Sequence, residues 1–201
     1  ITPPTCGSCR KHTDNLPPNM LLSTTSPMKN PIRIESATPD DIPAIQQIAQ
    51  ATWGPAYSTI LSEAQIAFML NWMYSAESLR EQFERGGRFL MLFEGEHPVG
   101  FGEHPVGFAG FEAVEKGGYK LHKLYVLPTK QKSGFGQKLL TAVEDVVKTE
   151  GGSFLDLNVN RNNAARFFYE KIGFFLLRTE DNYIGNGFWM NDFVMRKSLQ
   201  N

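Results

Sequence analysis

The sequence predicts an α/β or α+β domain whose central β-sheet carries helices on both faces. Three strand-like segments between residues 88 and 127 follow one another through short turns, which is typical of an antiparallel meander. From residue 134 onwards, helical and strand-like segments alternate, which is typical of strand–helix–strand units. Hairpins and crossovers are therefore expected to share one sheet.

One strand and three helices are predicted before residue 88. Ile32–Ser36 is strand-like, and Thr38 and Pro39 then provide a helix N-cap and a first-turn proline, followed by two acids. Ser62 begins a capping-box pattern for a second helix, and a short third helix is expected over 78–84, before a Gly-Gly pair. The apolar residues of the first two helices recur at helical spacing: Ile42, Ile45, Ile48 and Ala49, then Ile66, Met69, Leu70 and Met73.

Strands and helices alternate in the rest of the chain. The apolar stripe of 134–150 predicts a helix, and Gly173 closes a further helix over 162–172. Strands are predicted over Arg88–Glu94, 106–114, 119–127, 154–159, 174–178 and 189–195.

Residues 1–31 differ in composition from the rest of the chain. They hold six of the twelve prolines, both cysteines, a net charge of +2 and no periodic apolar stretch. Such a segment cannot bury enough surface to offset its ordering entropy, so we expect a disordered or artificially added tail before a single domain over 32–201. Met28 is a candidate natural start. The domain has no cysteine, which suits a reducing cytoplasm.

Two local features receive no functional role. Cys6 and Cys9 form a CxxC pair without the second pair or histidines that a zinc site needs, so they are taken as incidental. The heptapeptide GEHPVGF stands twice in tandem, over 95–101 and 102–108. Because an insertion of odd length reverses the two faces of a strand, one copy is expected to loop out at a hairpin tip, or to be artificial. His97 and His104 are accordingly not considered catalytic.

The net charge of the chain is −1, which gives no global attraction to nucleic acid. The longest apolar run, over 89–93, is far shorter than the ~20 residues that a membrane span requires. Neither a nucleic acid nor a membrane is therefore expected as a partner. The lysines are nevertheless clustered, because the window 116–143 holds six lysines and no acid.

A glycine-containing loop lies inside this basic window, between a strand and the helix predicted over 134–150. A strand, a glycine loop and a helix N-terminus together turn free backbone N–H groups toward an anion. The glycines let the backbone approach a pyrophosphate closely. A solvated basic face at an ordinary helix start is the alternative. The Walker and the dinucleotide-binding patterns are both absent. The loop comprises Gln131, Lys132, Ser133, Gly134, Phe135 and Gly136.

Two motifs resemble those of the GCN5-related N-acetyltransferase (GNAT) superfamily. The first is Q-x-x-G-x-G over 131–136, after L-Y-V-x-P over 124–128. The second is N-x-x-A-x-x-F-Y-E-K-x-G-F over 162–174. The chain is most similar to the bacterial spermidine/spermine acetyltransferase-like branch. The resemblance covers about residues 32–199 and implies a mixed, mostly antiparallel central sheet of about six or seven strands with helices on both faces.

The resemblance also implies a site for acetyl-CoA as co-substrate, without a metal or a covalent intermediate. The amides of 131–136 are expected to hold the pyrophosphate. Leu124, Tyr125 and Val126 are expected to border the pantetheine in a splayed, β-like arrangement, with the Val126 amide facing the thioester carbonyl. Asn162 and Ala165 are expected to contact the cofactor from the next helix. Tyr169 stands at the position of the family's usual general acid. The alternative is that Tyr169 is an aromatic residue with a packing role only.

The general base is less determined than the acid. Lys120 stands where many relatives carry a glutamate. Strict strand alternation places His122 on the side of Leu124 and Val126, and some relatives use an imidazole there. A structural histidine or a water chain to solvent is the alternative.

Acceptor contacts are suggested by residue type alone. Candidate acids for a cationic amine are Asp40, Asp41, Glu63, Glu112, Asp181 and Asp192. Candidate aromatic residues at the border of the acceptor pocket are Trp53, Tyr57, Trp72 and Tyr74, each of which is alternatively a core residue.

The function that these features imply is acetyl transfer from acetyl-CoA to a primary amine, a small amine or polyamine, by direct attack in a ternary complex. A protein N-terminal or lysine acetyltransferase is an alternative, as is a non-catalytic acyl-CoA-binding regulator. Strand exchange through the C-terminal sheet occurs in the family, which makes a homodimer an alternative to a monomer.

Overall fold

The computed structural model describes residues 31–95, 104–114 and 117–199. The Cys6/Cys9 pair, nearly all of the expected tail, His97 and most of the duplicated heptapeptide lie outside these residues. The described strands are β1 Ile32–Ser36, β2 Arg88–Glu94, β3 Pro105–Val114, β4 Gly118–Val126, β5 Phe154–Asn160, β6 Phe175–Gly185 and β7 Phe188–Ser198. The described helices are α1 Ile42–Tyr57, α2 Glu63–Tyr74, α3 Ala76–Glu84, α4 Phe135–Thr149 and α5 Ala165–Lys171.

The seven strands form one mixed sheet in the order β1-β2-β3-β4-β5-β7-β6. Every neighbouring pair is antiparallel except β4 and β5, which are parallel. The crossover between those two strands is made by α4, as a parallel connection requires. The predicted fold class is thereby confirmed. None of the helices in the described part of the chain is long and apolar enough to cross a membrane.

The sheet separates two hydrophobic clusters. On one face, Leu139, Leu140 and Val143 of α4 pack against the apolar side chains of the central strands. On the other face, α1, α2 and α3 cover a second cluster that includes Trp53 and Phe108. Helices therefore lie on both faces, because each face of the sheet is apolar in its centre.

Serine caps mark the starts of α2 and α3. Ser62 Oγ accepts a hydrogen bond from Gln65 N (3.2 Å) at the start of α2. Ser75 Oγ accepts one from Ser78 N (3.2 Å), so α3 begins two residues before the predicted 78. Pro39–Asp41 forms a short 3₁₀ turn that leads into α1. Local side-chain acceptors thus satisfy one of the first free N–H groups of α2 and of α3.

The C-terminal elements differ from their predicted lengths. The strands β6 and β7 have eleven residues each, because a two-residue turn at Asn186 and Gly187, both with positive φ, lets the strands pair up to the hairpin. Conversely, α5 begins at Ala165 rather than 162. Asn160 Oδ1 accepts a hydrogen bond from Asn162 N (3.0 Å), and Asn163 Oδ1 accepts one from Ala165 N (2.9 Å). These turns, closed by asparagine side chains, take the place of the first turn of the predicted helix.

Candidate active site

The strands β4 and β5 separate in the middle of the sheet. They pair only from Gly118 with Phe154 to Leu121 with Leu157. Beyond this point β4 continues to Val126 along β3, while β5 continues along β7. The splay opens a cavity of about 1060 Å³ between the two strands. The splayed arrangement expected around Val126 is therefore present.

A β-bulge in β4 sets which side chains face each side of the sheet. Phe111 pairs with Leu121 and Gly110 with Lys123, which leaves His122 as the extra residue. Leu124 and Val126 remain on the α4 face. His122 instead contacts Glu112 and Lys123 lies over the Tyr74 ring, both on the opposite face. The expectation from strict alternation that His122 shares a side with Leu124 and Val126 was wrong, because the bulge breaks the alternation.

The backbone of Val126 faces the splay. Leu127 N donates to Val106 O on β3 (2.8 Å). Because successive residues of a strand alternate in direction, Val126 directs its N–H and C=O to the opposite edge of β4, away from β3. On that edge, Gln131 Nε2 donates to Val126 O (3.2 Å). This contact ties the loop before α4 to the end of β4. The Val126 amide is thus directed into the cavity.

The N-terminus of α4 presents bare backbone to the same cavity. Gly134 is the N-cap residue with φ +80°, a left-handed conformation that favours glycine. A Cβ at Gly136 would meet nothing nearer than the Phe168 ring, at 4.0 Å. The first amides of a helix have no intrahelical partner and favour an anion. The residues of this segment that line the cavity are Gln131, Lys132, Gly134, Phe135 and Gly136; Ser133 is not among them.

The helix α5 borders the cavity from the other side. Ala165, Phe168 and Tyr169 line it. The Tyr169 ring packs edge-on against Phe168 and Phe174, with centroids 5.3 and 5.6 Å apart. Burial raises the pKa of the Tyr169 hydroxyl above its ordinary value, so the group carries its proton at neutral pH.

The asparagine expected at the cofactor does not reach the cavity. Asn162 is exposed and absent from the lining, whereas the next residue, Asn163, lines the cavity. The turn before α5 accounts for this difference, because it fixes Asn162 by its backbone N–H instead of placing it on a helical face. Residue type alone cannot distinguish two adjacent asparagines.

His122 and Glu112 form a polar pair at the bulge. His122 Nε2 lies 2.8 Å from Glu112 Oε1, and the imidazole lines the cavity. Partial burial lowers the pKa of His122, and the Glu112 carboxylate acts in the opposite direction. An imidazole with a lowered pKa is neutral at pH 7 and can accept a proton.

The cavity lining also includes aromatic rings and one buried carboxylate. Trp53, Tyr57 and Trp72 line the cavity as expected, but Tyr74 lies in the core beneath them. Of the six acids considered from the sequence, Asp192 lines the cavity, whereas the other five do not: Asp40, Asp41, Glu63, Glu112 and Asp181.

Several polar lining residues were missed by sequence reasoning. Asn158 and Asn160 extend into the cavity from β5, and Gln65 from α2. The sequence of β5, F-L-D-L-N-V-N, alternates apolar and polar residues, and its burial pattern follows that alternation. The alternation was the available signal, because it predicts one polar strand face.

Comparisons with known proteins agree with this geometry. The profile of the acetyltransferase (GNAT) domain family matches residues 58–199. The spermidine N(1)-acetyltransferase of Thermoplasma acidophilum is 27% identical over 175 residues, which are 84% of this chain and 98% of the relative. The [ribosomal protein bS18]-alanine N-acetyltransferase of Haemophilus influenzae is 43% identical over 63 residues, 31% of this chain and 43% of the relative.

Solved structures show the same fold. The PaiA N-acetyltransferase of Thermoplasma acidophilum in complex with coenzyme A has a TM-score of 0.68 and 26% identity, over 84% of this chain and 99% of that chain. The ribosomal-protein-S18-alanine N-acetyltransferase from Escherichia coli has a TM-score of 0.62 and 22% identity, over 85% and 96% of the two chains. The co-substrate of this fold is acetyl-CoA. The chain belongs to the GNAT acetyltransferase family.

Proposed function

We propose that this protein transfers the acetyl group of acetyl-CoA to a primary amine of a small amine or polyamine, by direct attack in a ternary complex. The observation that carries the proposal is a single cavity whose lining combines two unlike sets of groups. The lining includes the bare amides of α4 and the splayed backbone of β4, together with aromatic rings and the Asp192 carboxylate. Such a cavity admits an anionic donor and a cationic acceptor together.

The residues that would hold acetyl-CoA are those of the splay and of the α4 N-terminus. The amides near Gly134 and Gly136 would bind the pyrophosphate, and the free edge of β4 at Val126 would pair with the pantetheine. The cofactor supplies an activated acetyl thioester. A Cβ at Gly136 would meet no heavy atom nearer than Phe168, at 4.0 Å, so the space beside this glycine is open. A larger side chain at this position would narrow that space, which supports its use by the pyrophosphate. We propose residues 32–201 as the single domain that carries the site.

Tyr169 is proposed as the general acid. In the transfer a nitrogen–carbon bond forms and a carbon–sulfur bond breaks, so the departing thiolate needs a proton. Tyr169 lines the cavity and its hydroxyl keeps its proton at neutral pH, which supports this role.

His122 is proposed as the group that receives the proton of the attacking amine. Its imidazole lines the cavity, and Glu112 on the neighbouring strand can stabilise the imidazolium that forms. If this is correct, His122→Gln lowers kcat/KM most near neutral pH. The difference should shrink at alkaline pH, where the free amine already lacks its extra proton. An equal loss at every pH would contradict the role.

A second candidate function is acetylation of a protein N-terminus. The local similarity to the bS18-alanine acetyltransferase of Haemophilus influenzae favours it. The same chemistry applies, because an α-amino group is also a primary amine.

The test is acetyl-CoA turnover with matched acceptors. The protein is incubated with acetyl-CoA and either a panel of amines and polyamines or a peptide with an N-terminal alanine, and thiol release and acetylated product are measured. We expect product with the amines. Product with the peptide alone would replace the small-amine proposal by the protein acceptor. Binding of acetyl-CoA without any product would indicate a non-catalytic regulator.

A further inference from the structure

Asp192 is a buried carboxylate without an ionic partner. Its side chain lines the cavity from β7 and is 2% exposed. Among the described residues, no Lys, Arg or His nitrogen lies within 4.0 Å of it. The acids around it are paired: Glu180 with Arg178 at 2.6 Å, Asp181 with Arg161 at 2.6 Å and Asp156 with Arg196 at 2.7 Å. A buried carboxylate normally requires such a partner.

Asn158 places an unpartnered acceptor next to Asp192. Its Nδ2 lies between two carboxylates, 3.4 Å from Glu180 Oε2 and 3.4 Å from Asp192 Oδ2. The opposite amide orientation would place oxygen against both carboxylates, so the observed one is favoured. The Asn158 Oδ1 is left buried without a hydrogen-bond partner. A carboxylate without an ionic partner, beside an amide oxygen without a donor, calls for a charged donor from the ligand.

The surroundings of the pair suit a cation. Burial raises the pKa of Asp192 and Glu180 raises it further, whereas Asn158, Lys120 and Arg161 lower it. An ammonium group bound at the carboxylate would lower this pKa again and keep the group ionised. Tyr57 also lines the cavity, and aromatic rings attract ammonium groups. Burial raises the pKa of the Tyr57 hydroxyl and the Asp192 charge acts in the same direction, so the two groups are neighbours.

The position of the pair separates it from the reacting centre. Val126 lies on β4 and Asp192 on β7, on opposite sides of β5. Two regular strand spacings amount to about 10 Å, and the splay of β4 from β5 beyond Leu121 widens the separation further. The attacking nitrogen must be neutral and close to the thioester, so a cation at Asp192 is a different group of the same acceptor.

We infer that Asp192 and Asn158 form a subsite for a second, non-reacting ammonium group, so that the enzyme selects diamines and polyamines over monoamines. The inference rests on the proposed amine acetylation for its catalytic meaning. The binding site itself does not depend on that reaction.

Binding is the first test, since it requires no turnover. 1,4-Diaminobutane and butylamine are titrated into the full chain by calorimetry, with Asp192→Asn as the variant. Asp181→Asn is the matched control, because Asp181 is an adjacent carboxylate outside the cavity. We expect the diamine to bind at least about tenfold more tightly than butylamine, as one charge-assisted hydrogen bond allows. Asp192→Asn should abolish this preference and Asp181→Asn should retain it. Equal binding of both amines to the wild type would overturn the inference.

Kinetics provide the second test. In Asp192→Asn, kcat/KM should fall about 10- to 100-fold for the diamine and change less than about threefold for butylamine. Asp192→Glu should restore part of the preference, and thermal melting verifies folding. An equal loss for both amines in a folded variant would contradict the subsite. If no amine is acetylated but the diamine preference in binding depends on Asp192, the proposed function fails and the subsite stands.

Discussion

At the residue scale, Tyr169 lies in the cavity with its proton retained. Tyr169→Phe preserves the ring packing against Phe168 and Phe174 but removes the hydroxyl. We expect kcat to fall by about 10²- to 10⁴-fold, the usual contribution of a general acid, with little change in the KM for acetyl-CoA. Steady-state thiol release measures both constants. Tyr183→Phe is the control, because Tyr183 is an exposed tyrosine outside the cavity lining. Unchanged kcat in Tyr169→Phe would contradict the acid role.

Lys123 is a buried cation whose charge opposes folding. It is 7% exposed, donates to Gln82 Oε1 and lies over the rings of Tyr74 and Phe89. Burial lowers its pKa from 10.5 to about 8. Between about pH 8 and 10.5, the folded state therefore binds fewer protons than the unfolded state. The charged lysine thus destabilises the fold below pH 8, and this destabilisation disappears as the pH rises from 8 to 10.5.

The prediction for Lys123 is a pH-dependent stability difference. Relative to Lys123→Met, the wild type should gain about 3 kcal/mol of unfolding free energy between pH 8 and 10.5, because this pKa difference amounts to that energy. Urea unfolding at a series of pH values measures the difference. Lys148→Met, on the exposed surface of α4, should show no such trend. A constant difference between Lys123→Met and wild type would show that the lysine is not desolvated.

At the element scale, α4 ends at both sides in a left-handed glycine. Gly134 has φ +80° and Gly151 has φ +78°, and a Cβ at either would meet nothing within 4 Å. An alanine side chain would thus fit at either position without a clash. Its cost comes from the left-handed backbone conformation and amounts to about 1–2 kcal/mol of unfolding free energy at each position. Only Gly134 borders the cavity.

The two glycines give a matched experiment. Gly134→Ala and Gly151→Ala should lose similar unfolding free energy in urea titrations. Gly134→Ala should in addition raise the KM for acetyl-CoA, since it changes the loop that presents the α4 amides. Gly151→Ala should leave that KM unchanged. Equal KM values in both variants would argue against the α4 N-terminus as the cofactor site.

At the scale of the whole molecule, the cavity lining draws on both faces and on the centre of the sheet. A ligand that contacts β4, α4 and α5 together stabilises the folded state by mass action. At 100 times its Kd, acetyl-CoA should contribute about 2.7 kcal/mol and raise the Tm by roughly 5–10 °C for a chain of this size. Thermal melting with coenzyme A, acetyl-CoA and an equal concentration of inorganic phosphate tests this. A shift with phosphate as large as that with acetyl-CoA would contradict a specific site.

The sequence by itself determined the order of the elements, the loop over 131–136 and the tyrosine of α5, because each depends on residues close together in the chain. Caps, turns and alternation are local signals, and they placed β1 and β2 to the residue. Only the tertiary structure decided the rest. The bulge at His122 arises from the register with β3, and the unpaired charge of Asp192 arises because Arg161 and Arg178 pair with neighbouring acids. Register and counter-ions depend on contacts between distant segments, which no local pattern encodes.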